Sequence, residues 1–212
     1  MNITFSTDVF AAVSLFRAIE DVRYYINGIY LETGATGARL VATDGHQLAV
    51  AKIDGSFPES SIILPNSLLT SIKSKPKGPL NVTLEFNQGP PQYRKNGECI
   101  PRNITLTFGE ITAIGKEIDG KFPDFRRVVP GEVDGTTAQF DPRLIYRIDK
   151  ACSTLGYKSF TGIAYNGDRS ALSVINDNFV VVTMPYRAEP SKVSPVWIQE
   201  LLIQSVPERR AA

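Results

Sequence analysis

The sequence predicts an α+β fold in which helices gather on one face of antiparallel sheets. Three observations carry this expectation. A strand-then-helix pattern occurs three times along the 212 residues. Short β-branched and aromatic runs follow each helix. Turn residues of hairpin type separate several of those runs.

The repeated pattern is "ITFSTDVFAAV" from Ile3, "IILPNSLLTSI" from Ile62 and "AQFDPRLIYRI" from Ala138. Each copy has a short apolar strand, a turn or cap residue, then apolar residues at helical spacing, so a supersecondary unit recurs. Phe5, Leu64 and Phe140 hold equivalent places. Val9, Phe10 and Val13 match Leu68, Leu69 and Ile72, and then Leu144, Ile145 and Ile148.

In the first helix Val9, Ala12, Val13, Phe16 and Ile19 form one apolar stripe. The third helix starts at Asp141, a capping carboxylate, with Pro142 in the first helical position. It buries Leu144, Ile145, Ile148, Ala151 and Cys152, and its Arg143, Arg147 and Lys150 share another face. The second helix offers Lys73, with Lys75 and Lys77 at its end.

"VRYYINGIYLET" reads as a strand after the first helix. "ARLVATDGHQLAVAKI" reads as a hairpin about Asp44-Gly45, because such turns need backbone angles that glycine adopts readily. "ALSVINDNFVVVTMPYR" is a second hairpin, turning at Asn176-Asp177-Asn178. "LNVTLEF" and "NITLTFGEITAIGKEI" belong to the middle unit, and the polar, Pro/Gly-rich stretch 87–102 projects between them as a loop. Segments 1–60 and 61–130 pair as one domain, residues 131–188 make a third unit, and 189–212 form a tail. In that tail Val196, Trp197, Leu201 and Ile203 follow Pro195 as a short amphipathic helix.

With 42% hydrophobic and 21% charged residues, the chain has the composition of a soluble globular protein. It lacks a run of about twenty apolar residues, so a membrane partner is not expected. The N-terminus has no secretion pattern, and a cytoplasmic protein is the plain expectation. The two cysteines, Cys99 and Cys152, cannot build a disulfide framework and lack metal-ligand spacing, so neither metal nor cofactor is expected. A net charge of +1 argues against a basic nucleic-acid coat, which moves the question to where the charges lie.

The single histidine, His46, stands two places after Asp44. A catalytic Asp–His pair needs a nucleophile or metal to complete it. No Gly-x-Ser-x-Gly, phosphate loop or His-Glu-x-x-His occurs, so the tip reads as a turn and the protein as a non-enzyme. A hydrolase using His46 is the weakest reading.

Four stretches, "DVRYYINGIYLET", "VATDGHQLAVAKI", "KEIDGKFPDFRRVVP" and "FVVVTMPYR", resemble in this order the bacterial sliding clamp, the beta subunit of the replicative DNA polymerase III. The first three resemble the family's middle domain and the fourth the end of its last domain. The chain differs in starting where the middle domain starts, in omitting a half-domain after "FRRVVP", and in continuing past "MPYR". The resemblance therefore implies a shortened clamp: a DNA-clamp (processivity) fold of three β-α-β-β-β half-units, sheets outside and helices lining one face. Residues 1–130 would be a complete clamp domain and 131–188 half of one.

It also implies function. Such rings encircle duplex DNA without reading sequence and tether polymerases, clamp loaders and repair proteins through a hydrophobic peptide groove. The groove positions match Ile26, Thr43, Gly45, His46, Gln47 and Leu48; Pro123, Arg127 and Val128; Asp141 and Leu144; and Val182, Met184, Pro185, Tyr186 and Arg187. The DNA-facing positions match Arg23, Tyr24 and Tyr25, joined by the helix residues Lys73, Lys75, Lys77, Arg143, Arg147 and Lys150. Asn66-Ser67 stands where many relatives are basic. In the tail, Gln199-Glu200-Leu201-Leu202-Ile203 is similar to the glutamine-led, apolar-ended peptides that such grooves accept. Family rings close with about twelve half-units, so three per chain imply a homotetramer. The second reading is an interaction protein that binds replication partners without encircling DNA.

Overall fold

The computed structural model describes residues 1–70, 81–87, 92–95, 99–159, 162–186 and 197–198. Its first unit runs β1 (Asn2–Ser6), α1 (Thr7–Ser14), β2 (Gly28–Gly34), β3 (Gly37–Thr43) and β4 (Gln47–Ile53). The second continues through β5 (Ser60–Pro65), α2 (Asn66–Thr70), β6 (Asn81–Phe86), the two-residue strands β7 (Gln92–Tyr93) and β8 (Cys99–Ile100), β9 (Asn103–Phe108) and β10 (Ile111–Lys116). The last elements are α3 (Pro142–Thr154), β11 (Ala171–Asn176) and β12 (Phe179–Thr183).

All paired strands are antiparallel. One sheet has the order β1-β6-β9-β10, a second the order β11-β12-β4-β3-β2-β5, and β7 pairs with β8. The α+β expectation therefore holds. The third unit is shorter than expected: among the described residues it contributes α3, β11, β12 and an isolated bridge between Ala164 and Leu172. Its leading stretch, Ala138–Phe140, is not a strand. Gln139 O accepts the Tyr186 N–H, while the Met184 N–H, the next donor on that side, goes to His46 O. A ladder there has no second rung.

Two further expectations need correction. The helical stripe does not reach Ile19, which is 70% exposed. Helix α1 stops at Ser14 because Leu15 N and Phe16 N bond back three residues, to Ala12 O and Val13 O, and the Arg17 guanidinium takes the Ser14 carbonyl. The strand predicted across "VRYYINGIYLET" begins only at Gly28. Tyr24–Ile26 form a 3₁₀ turn, since the Asp21 carboxylate accepts the Arg23 N–H and the Asn27 side chain bonds both N and O of Asp21.

The third unit is built into the first. Helix α3 packs on α1, and β12 pairs with β4 so that Val182 faces Leu48 and Val181 faces Ala49. One core results, holding Phe10 and Phe16 beside α1, Ile148, Ala151 and Cys152 from α3, and Leu84, Leu106 and Phe108 from the smaller sheet. The six-stranded sheet is apolar on its other face too. One row, Ile63, Tyr30, Val41, Val50, Val180 and Val174, crosses all six strands. Alternate residues of strands point to opposite faces, and Ile63, Tyr30, Val41 and Val50 of this row join a second cluster with Ile26, Leu48, Phe122, Phe125 and Val182.

Candidate functional site

The 44–46 turn is built by its own side chains. Asp44 Oδ1 accepts the N–H groups of His46 and Gln47, both at 2.9 Å, and Thr43 Oγ1 donates to Gln47 O at 2.7 Å. Gly45 sits at φ +91°, a backbone conformation that favours glycine, and the Arg23 guanidinium lies against it, 2.9 Å from where a Cβ would stand. The Asp-Gly hairpin stands where turn chemistry put it.

Other bonds fix this turn to the third unit. Asp44 Oδ2 lies 2.5 Å from Arg147 Nη1 on α3. Burial pushes the Asp44 carboxyl up, but the Arg147 bond and the two N–H groups together outweigh it and leave the group below the ordinary aspartate value. The carboxylate thus serves Arg147 and the backbone. Gln47, 2% exposed, donates through Nε2 to Leu144 O at 3.1 Å and Thr183 Oγ1 at 3.0 Å.

Beside the turn a cavity of about 220 Å³ opens on the apolar outer face of the sheet. It brings together Ile26, Thr43, Gly45, His46, Gln47, Leu48, Pro123, Val128, Val182 and Met184. An adjoining hollow of about 400 Å³ shares His46 and Met184 and adds Asp141, Leu144, Pro185 and Tyr186. Arg127 is exposed and lines neither, and Arg187 lies outside the described residues. Phe122 and Phe125 form an aromatic part of its lining, backed by Tyr30, which stacks on Phe122 and meets Phe125 edge-on, and the Arg126 guanidinium covers Phe125 at 4.6 Å while pairing with Glu32.

Phe122, Asp124 and Phe125 also line the cavity, and sequence reasoning missed them. Their signal was the pair of phenylalanines flanking Pro123-Asp124. Two positions matched to DNA, Arg23 and Tyr25, line it as well. Arg23 is held by Asp21 at 2.8 Å, which keeps the Asp21 carboxyl at about 2, and Tyr24 is 57% exposed.

The basic face of α3 is only partly open. Arg143 pairs with Asp141 at 2.8 Å, and both it and Arg147 line the second hollow. Lys150 Nζ lies 5.2 Å from the Tyr146 ring. Asn66 binds the Arg17 guanidinium at 2.7 Å and Ala18 O at 3.0 Å, tying the exit of α1 to the start of α2. Lys73, Lys75, Lys77 and the tail segment 199–203 lie outside the described residues. Among the described residues no three His, Cys, Asp or Glu side chains gather as a metal site, and no helix is long and apolar enough to cross a membrane.

Residues 5–124 match the family model of the DNA polymerase III beta subunit, central domain. The chain is 36% identical over 122 residues to the beta sliding clamp of Salmonella typhimurium, covering 55% of this chain and 29% of that protein. It is 31% identical over 163 residues to the beta sliding clamp of Proteus mirabilis, covering 76% of this chain and 41% of that one. The chain thus spans less than half the length of these relatives. A solved structure of DNA polymerase III subunit beta from Borrelia burgdorferi, in complex with a natural product, superposes with a TM-score of 0.66 at 14% identity, over 89% of this chain and 65% of that one.

Proposed function

The chain belongs to the DNA polymerase III beta subunit family, and from that premise we propose that it is a sliding clamp whose groove tethers replication proteins by a peptide. The observation that supports this reading most is the cavity itself. Leu48, Val182 and Met184 line it, and His46 and Met184 also line the second hollow, so an extended peptide meets an apolar pocket adjoining a hollow edged by Asp141, Arg143 and Arg147. Met184 is 41% exposed and Val128 43%, the exposure of a surface that a partner covers. A methionine-bearing lining adapts to varied apolar anchors.

The test is binding of a fluorescein-labelled peptide that leads with glutamine and closes on two large apolar residues. Met184→Glu and Leu48→Glu place charge in the pocket and abolish binding in folded protein; unchanged affinity in those variants refutes the groove.

The partners are duplex DNA, polymerase, clamp loader and repair proteins in the cytoplasm. DNA binding is weak, sequence-independent and steeply salt-sensitive, as phosphate contacts require. Tight, salt-independent binding to one sequence excludes it. Arg143 and Arg147 engaged by Asp141 and Asp44 favour a second reading, a groove protein that never encircles DNA. A ring that stimulates polymerase processivity separates the two.

A further inference from the structure

Spacing puts Arg143, Arg147 and Lys150 on one face of α3, yet their surroundings differ. Arg143 is 88% exposed in its side chain, and its partner Asp141 is the local helix cap. The Arg147 side chain is 29% exposed, and it reaches out of its own element to Asp44, whose side chain is 18% exposed. Asp44 is the residue that builds the groove turn. Its other carboxylate oxygen holds the N–H groups of His46 and Gln47, and its carbonyl accepts from Arg23 Nη2 at 3.4 Å. His46, Gln47 and Arg23 all line the apolar cavity.

Resting on the groove reading, we infer that Arg147 is a positioning residue of the peptide groove, acting through Asp44, and not a contact to DNA phosphate. A single carboxylate carries α3 on one oxygen and the groove turn on the other. Drawing Arg147 away to a phosphate leaves a partly buried Asp44 charge without its countercharge, which is costly. Arg143 instead pairs with Asp141, the cap of its own helix at the edge of the second hollow, and Lys150 lies beside Tyr146. Additional bonds, from Thr43 Oγ1 to Gln47 O and from Gln47 to Leu144 O, keep the turn folded when the ion pair is lost. Loss of the pair therefore shifts the wall instead of unfolding it.

The experiment uses the full chain, the labelled glutamine-led peptide and a duplex oligonucleotide over a salt series. Asp44→Asn keeps an oxygen for the two N–H groups, removes the charge facing Arg147 and turns an amide NH2 toward the guanidinium in place of the acceptor. Arg147→Met removes the guanidinium at similar length, and Arg147→Lys keeps the charge. The two neutral variants each weaken the peptide about tenfold, the lysine variant loses less, and the double variant is no worse than either single. Arg143→Met flattens the salt dependence of DNA binding by a slope of about one, whereas Arg147→Met leaves it unchanged. Unchanged peptide affinity in Arg147→Met, with a flattened salt slope, overturns the inference. A peptide bound by the native chain and lost in Met184→Glu shows that the groove reading survives that failure. Failure of the native chain to bind the peptide overturns both.

Discussion

The rings of Tyr30 and Phe122 lie 4.8 Å apart and 5° from parallel, so strand β2 and the segment carrying Pro123 meet in one aromatic stack. Phe122 is 7% exposed and sits directly under the groove. Phe122→Ala removes both the stack and the floor. The expected cost is about 3 kcal/mol in urea unfolding, with a loss of peptide affinity that Phe86→Ala, on the smaller sheet, does not share.

Gln47 joins three elements through one amide. Gln47→Leu keeps the bulk but deprives Leu144 O and Thr183 Oγ1 of their donor. Stability falls by about 2 kcal/mol. Hydrogen exchange at the start of α3 quickens before exchange in β2 and β3 does.

Acid acts on the same turn. The Asp44 carboxyl is held below its ordinary value of 3.8 in the folded chain. A lowered folded-state value stabilises the fold above the unfolded-state one, and that contribution is lost as pH falls through the folded value. The Asp44 contribution to peptide affinity is therefore constant from neutrality down to about pH 4 and is lost below it. Asp44→Asn shows the weakened affinity already at neutral pH and little further acid response, a difference that titration by fluorescence anisotropy reads directly.

Under the proposed function, three repeat units per chain against about twelve per ring predict an assembly of four chains. Four chains of 23.3 kDa give a ring of about 93 kDa. Native mass spectrometry at micromolar protein is expected to find that mass. A stable monomer or dimer removes the tetramer and leaves the groove untouched.

Local chemistry made some of the fold legible. Asp44-Gly45 encoded a hairpin, and Asp141-Pro142 encoded a helix start, because the needed contacts lie within three residues. The turn at Tyr24–Ile26 stayed hidden, since aromatic residues suggest a strand and the bonds from Asp21 and Asn27 that bend the chain leave no periodic trace. The groove residues were visible only through family resemblance: Val180 to Val182 has the apolar run of any buried strand, because both faces of this sheet are apolar here. The Arg147–Asp44 bond spans 103 residues and rests on the docking of α3 and β12 against the first unit, so no local pattern announces it.

The two-faced sheet has a consequence for how this protein can change. Along β4 and β12, odd-numbered Ala49, Ala51, Phe179 and Val181 face the main core, while even-numbered Leu48 and Val182 face the groove. In β3 the parity reverses, with Leu40 and Ala42 inward and Val41 outward. Positions that line the groove and positions that fill the main core therefore interleave residue by residue along these strands. Point substitutions can retune the groove toward a new peptide while the core is left alone. Inserting or deleting one residue within β4 or β12 exchanges the two sets beyond that point, ending recognition and folding together.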